Sequence, residues 1–174
     1  NMILLLDFDN TLFDLASYRK AFGLEGTFFR NNPEIYVEKL KESKDLSQHL
    51  FPDAESFLKE HSHHRLVLLT SGYLPYQKDK VEQSGILELF HEKIFVELWK
   101  LKGEELKGRF HDEKEKVVFL DDTPEQIKSM EELCPEVISV RINRPDVSYE
   151  YRVEYDASRE VGSLKEFADL IKSF

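Results

Sequence analysis

Residues 3–14 read Ile3-Leu4-Leu5-Leu6-Asp7-Phe8-Asp9-Asn10-Thr11-Leu12-Phe13-Asp14, an apolar run that ends on two carboxylates two residues apart. A short run rich in Ile and Leu, bounded by polar residues, is the pattern of a buried strand. Charges at the end of such a strand are costly unless something compensates them. In an extended chain residues i and i+2 project to the same side, so Asp7 and Asp9 can converge on one cation or one reacting group, with the Thr11 hydroxyl close behind. Taken alone, the stretch also fits a strand running into an Asx-type turn. The rest of the chain decides between the two.

Four further apolar runs follow. Leu66-Val67-Leu68-Leu69 ends on Thr70-Ser71-Gly72; Ile94-Phe95-Val96 is a shorter third; Val117-Val118-Phe119-Leu120 ends on Asp121-Asp122; Val137 to Ile142 is the fifth. Helical patterns alternate with them. Leu15, Tyr18, Ala21 and Phe22 fall at helical spacing, and Asn32-Pro33 predicts a side-chain-capped helix running to about Ser43. Phe51-Pro52-Asp53 starts another that ends in His61-Ser62-His63-His64, and a helix from about Pro75 to Ser84 stops at Gly85. A Lys-rich helix is expected over Lys102–Phe110. Thr123-Pro124-Glu125-Gln126 and Ser163-Leu164-Lys165-Glu166 have the capping-box pattern, the second leading into the stripe Phe167, Leu170, Ile171, Phe174. Strands alternating with helices predict right-handed crossovers and an α/β, doubly wound parallel sheet. The stretch between the first two strands, residues 15–50, is longer than one crossover helix needs. It predicts a small helical cap insertion in a core made of 2–14 and 51–174.

A chain of 174 residues with 41% hydrophobic residues and thirteen Phe can bury a proper core, which excludes disorder as the default. The net charge of −10 argues against nonspecific nucleic-acid binding and against anionic membranes. An anionic substrate would need a metal ion or a few placed cations. With the single Cys134, no recognisable signal peptide and no apolar run long enough to cross a bilayer, a reducing cytoplasm is the expected setting.

Ligands of open parallel sheets bind beyond the carboxyl ends of the strands. There the sequence puts Asp7 with Asp9, Thr70 with Ser71, and Asp121 with Asp122. Four carboxylates in one cavity repel one another unless a cation is present, and hard oxygen donors without His or Cys select Mg2+ over zinc. In order and placement these segments resemble the haloacid dehalogenase (HAD) superfamily, phosphatase type. Its Asp-x-Asp-x-Thr motif is matched by Asp7, Asp9 and Thr11, its strand-ending Thr or Ser by Thr70, and its acidic pair by Asp121 and Asp122. The family's lysine has no fixed local signature; Lys102 is the first choice, with Lys100 and Lys93 behind it. Response-regulator receivers use similar groups, but in an order that fits poorly.

The resemblance implies a HAD-like Rossmannoid core and a Mg2+-dependent phosphatase with an aspartyl-phosphate intermediate on Asp7. It implies that Asp9 protonates the leaving group and then deprotonates water. Thr70, the Ser71 main-chain N–H and Lys102 would bind the phosphoryl group, with Thr11 beside them. Mg2+ would be held by Asp7, the Asp9 carbonyl and Asp122, with Asp121 in its water shell. HAD dehalogenases lack an acid at the position of Asp9, which favours a phosphorylated small molecule or a larger phosphoester as substrate. A phosphotransferase or mutase of the same fold, and a catalytically weak binding scaffold, remain the alternatives. Tyr18, Arg19, Lys20, Phe28, Phe29 and Arg30 could read the leaving group or could simply pack and solvate the insertion. The three histidines at 61, 63 and 64 precede the second strand, at the end away from the expected site. Tyr149, Tyr151 and Tyr155 alternate as in an extended edge segment.

Overall fold

In the structure, a computed structural model that describes residues 1–145, 147 and 154–174, the chain builds six strands. They are β1 (Met2–Leu6), β2 (Arg65–Gly72), β3 (Glu92–Glu97), β4 (Lys116–Asp121), β5 (Ile138–Ile142) and β6 (Glu160–Val161). All pair in parallel, in the order β3-β2-β1-β4-β5-β6. The helices are α1 (Leu15–Ala21), α2 (Pro33–Glu42), α3 (Ala54–Glu60), α4 (Leu74–Ser84), α5 (Lys102–Leu106), α6 (Pro124–Leu133) and α7 (Leu164–Ile171). This is the doubly wound α/β sheet that the alternation of apolar runs predicts.

β1 sits at the centre because it is apolar on both faces. Leu4 and Leu6 enter one core layer with Leu66, Leu68, Val118, Phe57 and Phe167, while Ile3 and Leu5 enter the other with Val67, Phe119, Leu106 and Met130. Each fully buried Leu of β1 contributes about 1.5–3 kcal/mol relative to exposure. β1 pairs on one side with β2 and on the other with β4, so the strand order reverses beside it. A crevice at the carboxyl ends follows from that reversal.

Phe13 pairs antiparallel with Leu50, so residues 15–49 leave and return side by side. The Asp14 N–H donates to the His49 carbonyl at 2.7 Å, and the Phe51 N–H to Leu12 at 2.8 Å. Between these points lie α1, α2 and two 3-10 turns, Phe29–Asn31 and Ser47–His49. This layer rests on α4. Ser43 Oγ donates to Gln83 Oε1 at 2.6 Å, Gln83 Nε2 to the Leu40 carbonyl at 3.1 Å, and the Leu46 N–H to the Gln83 carbonyl at 2.8 Å.

Several sequence expectations need correction. Asn32 makes no capping bond; its Nδ2 donates to the Phe28 carbonyl. Thr123 does not cap α6 either: its Oγ1 donates to Asp122 Oδ1 at 3.4 Å, and Gln126 Oε1 accepts from the Lys102 N–H at 2.8 Å. Ser163 does cap α7, but Glu166 reaches past it to the Gly162 N–H. α5 stops at Leu106, short of Phe110. Gly85 closes α4 in the left-handed conformation, at φ 82°, as its residue type predicts. Tyr149 and Tyr151 lie outside the described residues. No helix among the described residues is long and apolar enough to cross a membrane.

Candidate active site

The carboxyl ends of β1 and β4 bring Asp7, Asp121 and Asp122 together, with one oxygen of each within 4.8 Å of the others. Beneath them lies Lys102. Its Nζ is 2.6 Å from Asp7 Oδ1 and 2.5 Å from Asp121 Oδ2, and all three side chains are buried. α5 delivers this lysine by an unusually close approach to α6. A Cβ on Gly103 would stand 2.2 Å from the Ser129 carbonyl oxygen, so only glycine fits there. Gly103 N–H donates to Ser129 Oγ at 3.2 Å, which with the Gln126 bond pins the start of α5. Thr11 is fully buried and its hydroxyl donates to Asp7 Oδ2 at 3.3 Å, so its proton turns inward to the carboxylate. Asp121 Oδ1 accepts the Thr123 N–H at 2.8 Å, and the half-buried Asp122 accepts the Thr123 hydroxyl at 3.4 Å.

The opposite wall comes from Asp9, β2 and α4. Thr70 is still within β2, paired with Phe95, and its Oγ1 accepts from Gln77 Nε2 at 2.8 Å. The same nitrogen donates to Asp9 Oδ2 at 3.0 Å. Lys80 Nζ donates to Asp9 Oδ2 at 3.0 Å and makes an ion-pair contact with Oδ1 at 2.8 Å that lacks hydrogen-bond geometry. Lys80 is only 3% exposed, against 24% for Asp9. The rings of Tyr76, Phe8 and Phe13 face its ammonium with centroids 5.2, 5.8 and 5.8 Å away, a favourable cation–π surrounding for a dehydrated charge. Asn10, at φ 61°, makes the turn that separates the two walls.

Charge is unevenly balanced across the cavity. Burial, then the neighbouring Asp121, pushes Asp7 up to about 7, against the pull of Lys102. Burial, then Asp121 and Asp7, raises Asp122 well above the usual carboxylate range. Burial disfavours the Lys102 ammonium, but Asp121 and Asp7 outweigh it and hold its pKa above the ordinary lysine value. Three carboxylates against one lysine leave excess negative charge, and oxygen donors at this spacing fit a hard divalent cation.

The other lysines considered lie elsewhere: Lys100 pairs with Glu105 at 2.5 Å, and Lys93 is exposed in β3 beside Leu68. His64 accepts from the Met2 N–H, at the amino end of β1, and His61, His63 and His64 stack on one another. Of the insertion residues, Tyr18 is buried against Tyr76 and Phe29 packs on Tyr36, Tyr73 and Tyr76. Arg19 donates to the carbonyls of Leu24 and Thr27. Lys20, Phe28 and Arg30 are exposed. Sequence reasoning missed Gln77 and Lys80. With Tyr76, Val81 and Ser84 they form the buried face of α4, and the helical spacing of Tyr76, Lys80 and Ser84 is the one trace of it in the sequence.

No family model matches the sequence, and no curated protein matches it. Solved structures do. L-2-haloacid dehalogenase from Xanthobacter autotrophicus aligns with a TM-score of 0.67 at 13% identity, over 99% of this chain and 98% of that one. The haloacid dehalogenase-like family hydrolase SP0104 from Streptococcus pneumoniae gives 0.67 at 14%, over 98% of both chains. The chain adopts the haloacid dehalogenase-like fold. A third structure of that fold, Bacillus subtilis YfnB, named as a HAD-hydrolase and bound to magnesium, gives 0.63 at 16%, again over 98% of both chains. Within the haloacid dehalogenase-like fold shared at these identities, the chemistry of this chain rests on its own side chains.

Proposed function

We propose that the chain is a Mg2+-dependent phosphohydrolase that cleaves phosphomonoesters through an aspartyl-phosphate on Asp7. The observation that carries the reading is the contrast at the end of β1: Asp7 stands in a cluster short of positive charge, and Asp9 stands two residues on, partly exposed at the mouth. An Asp7 oxygen attacks phosphorus, the phosphorus–oxygen ester bond breaks, and Asp9 gives its proton to the leaving alkoxide. Water then attacks the aspartyl-phosphate and returns a proton to Asp9, releasing inorganic phosphate and restoring Asp7. A departing halide takes no proton, so carbon–halogen cleavage would leave the acid half of the Asp9 role without a task. Thr70, the Ser71 N–H and Lys102 are assigned to the phosphoryl oxygens.

Asp7, Asp122 and the Asp9 carbonyl would hold the metal, with Asp121 behind its water shell. When bound, Mg2+ neutralises charge on the phosphoryl oxygens and the surrounding carboxylates. The magnesium in the B. subtilis neighbour supports the same ion here. Residues 15–50 act as a small cap in this reading.

The test is phosphate release from an aryl phosphate, with and without Mg2+, by the wild type and Asp7→Asn. Metal-dependent release that falls at least about 10⁴-fold in the variant is expected. Equal activity in Asp7→Asn overturns the nucleophile, phosphate appearing on an added alcohol points to a transferase, and a folded wild type inert on every phosphoester points to a binding scaffold.

A further inference from the structure

The side-chain amide of Gln77 has two N–H bonds, and each is directed at a group to which the phosphohydrolase reading gives a separate task. One goes to Asp9 Oδ2 at 3.0 Å, the other to Thr70 Oγ1 at 2.8 Å. A carboxylate only accepts, so the amide nitrogen and not its oxygen must face Asp9. A hydroxyl that accepts one bond still has its own proton to give, and among the described residues Thr70 gives it to no protein group. Its proton is therefore free for an anion in the cavity. Gln77 is 2% exposed, and the missing side chain of Gly72 makes room for it: a Cβ there would meet Gln77 Oε1 at 3.1 Å and its Cβ and Cδ at 3.3 Å. Lys80, one turn further along α4, closes the other side of Asp9.

From this geometry we infer that Gln77 is a positioning residue, which locks the Asp9 carboxyl and the Thr70 hydroxyl to each other so that both address the same phosphoryl group. The inference rests on the phosphohydrolase reading and extends it to a side chain that touches no substrate. α4 thereby sets the alignment of proton donor and phosphoryl-binding hydroxyl from behind the site. Without the amide, Asp9 keeps Lys80 as its sole side-chain anchor among the described residues and can swing about it, while Thr70 can turn its proton away.

The measurement is kcat/KM on two esters in the same Mg2+-loaded preparation: an alkyl phosphate, whose leaving group needs a proton, and an aryl phosphate of an acidic phenol, whose leaving group does not. Gln77→Met keeps length and removes both donors; Gln77→Glu keeps shape and sets a carboxylate against Asp9. Both variants are expected to lose about 10²-fold on the alkyl ester. On the aryl ester the loss is expected to be about ten times smaller, read mainly as a higher KM from the released Thr70. The ratio of the two esters within one preparation is unaffected by any inactive fraction, so partial misfolding does not imitate the result. An unchanged ratio in variants that still turn over the aryl ester overturns the positioning role alone. A wild type that releases phosphate from neither ester overturns the phosphohydrolase reading and this role with it.

Discussion

Two buried lysines flank the end of β1, and they answer to different numbers of carboxylates. Lys102 lies under Asp7, Asp121 and Asp122, while Lys80 faces Asp9 alone among aromatic rings. On the first side one positive charge is set against three negative ones, and burial raises the carboxylates toward protonation. On the second side charges match, and the aromatic faces compensate for lost water. A lysine thus does opposite things twenty-two positions apart in the sequence: Lys80 completes a local balance, whereas Lys102 leaves negative charge in excess.

Removing each lysine separates the two cases. Lys102→Met leaves buried carboxylates facing one another, and breaking a buried pair in this way costs about 3–5 kcal/mol. Urea unfolding at pH 8 without metal would show it; a loss equal to that of Lys80→Met would erase the contrast. Gly103→Ala acts on the same side indirectly. Its Cβ would press into the backbone of Ser129 and Met130, so α5 must retreat and take Lys102 with it, for about 2 kcal/mol of stability by the same assay and a parallel fall in turnover. Lys80→Met is milder, about 1 kcal/mol, because the partly exposed Asp9 can rehydrate and Met suits the aromatic surroundings.

The comparison also predicts a pH dependence on the Lys102 side. Asp7 is raised from 3.8 to about 7, so between about pH 4 and 7 the folded metal-free protein holds a proton that the unfolded chain has released. Its stability therefore falls as pH rises through that window. A bound divalent cation opposes the fall, and the rise in melting temperature on adding Mg2+ should exceed that at pH 5 by about 2–4 °C at pH 8. Equal shifts at the two pH values would mean that the ion binds elsewhere.

The fold was legible wherever burial wrote itself into composition. Strands buried on both faces read as continuous apolar runs, which is why Leu4, Leu68 and Phe119 mark the sheet, and the carboxylates that interrupt them at Asp7 and Asp121 mark the edge where the acidic cluster forms. β6 left no such trace, because two residues at the sheet edge carry no periodicity. Capping patterns overstate capping: Thr123 and Gln126 have the right spacing, yet Gln126 serves the neighbouring α5. The choice among lysines rested on family resemblance, since α5 is too short for its sequence to say which side faces inward. Gln77 and Lys80 were hidden for a further reason. Their role depends on which strand α4 crosses, and that is tertiary information.

The antiparallel contact between Phe13 and Leu50 has a consequence for the history and engineering of such a chain. Two backbone segments that enter and leave as neighbours, roughly 5 Å apart, form a socket, so a change of length between them need not shift the register of β1 against its neighbours. Arg144 reinforces the socket from below, holding the Thr11 carbonyl at 2.8 Å and Asp53 with both terminal nitrogens. What the socket carries is nonetheless welded to the rest, since Tyr18, Leu24, Tyr36, Leu40 and Leu46 share one buried cluster with Leu4, Leu6 and Phe8, so any replacement has to refill that core.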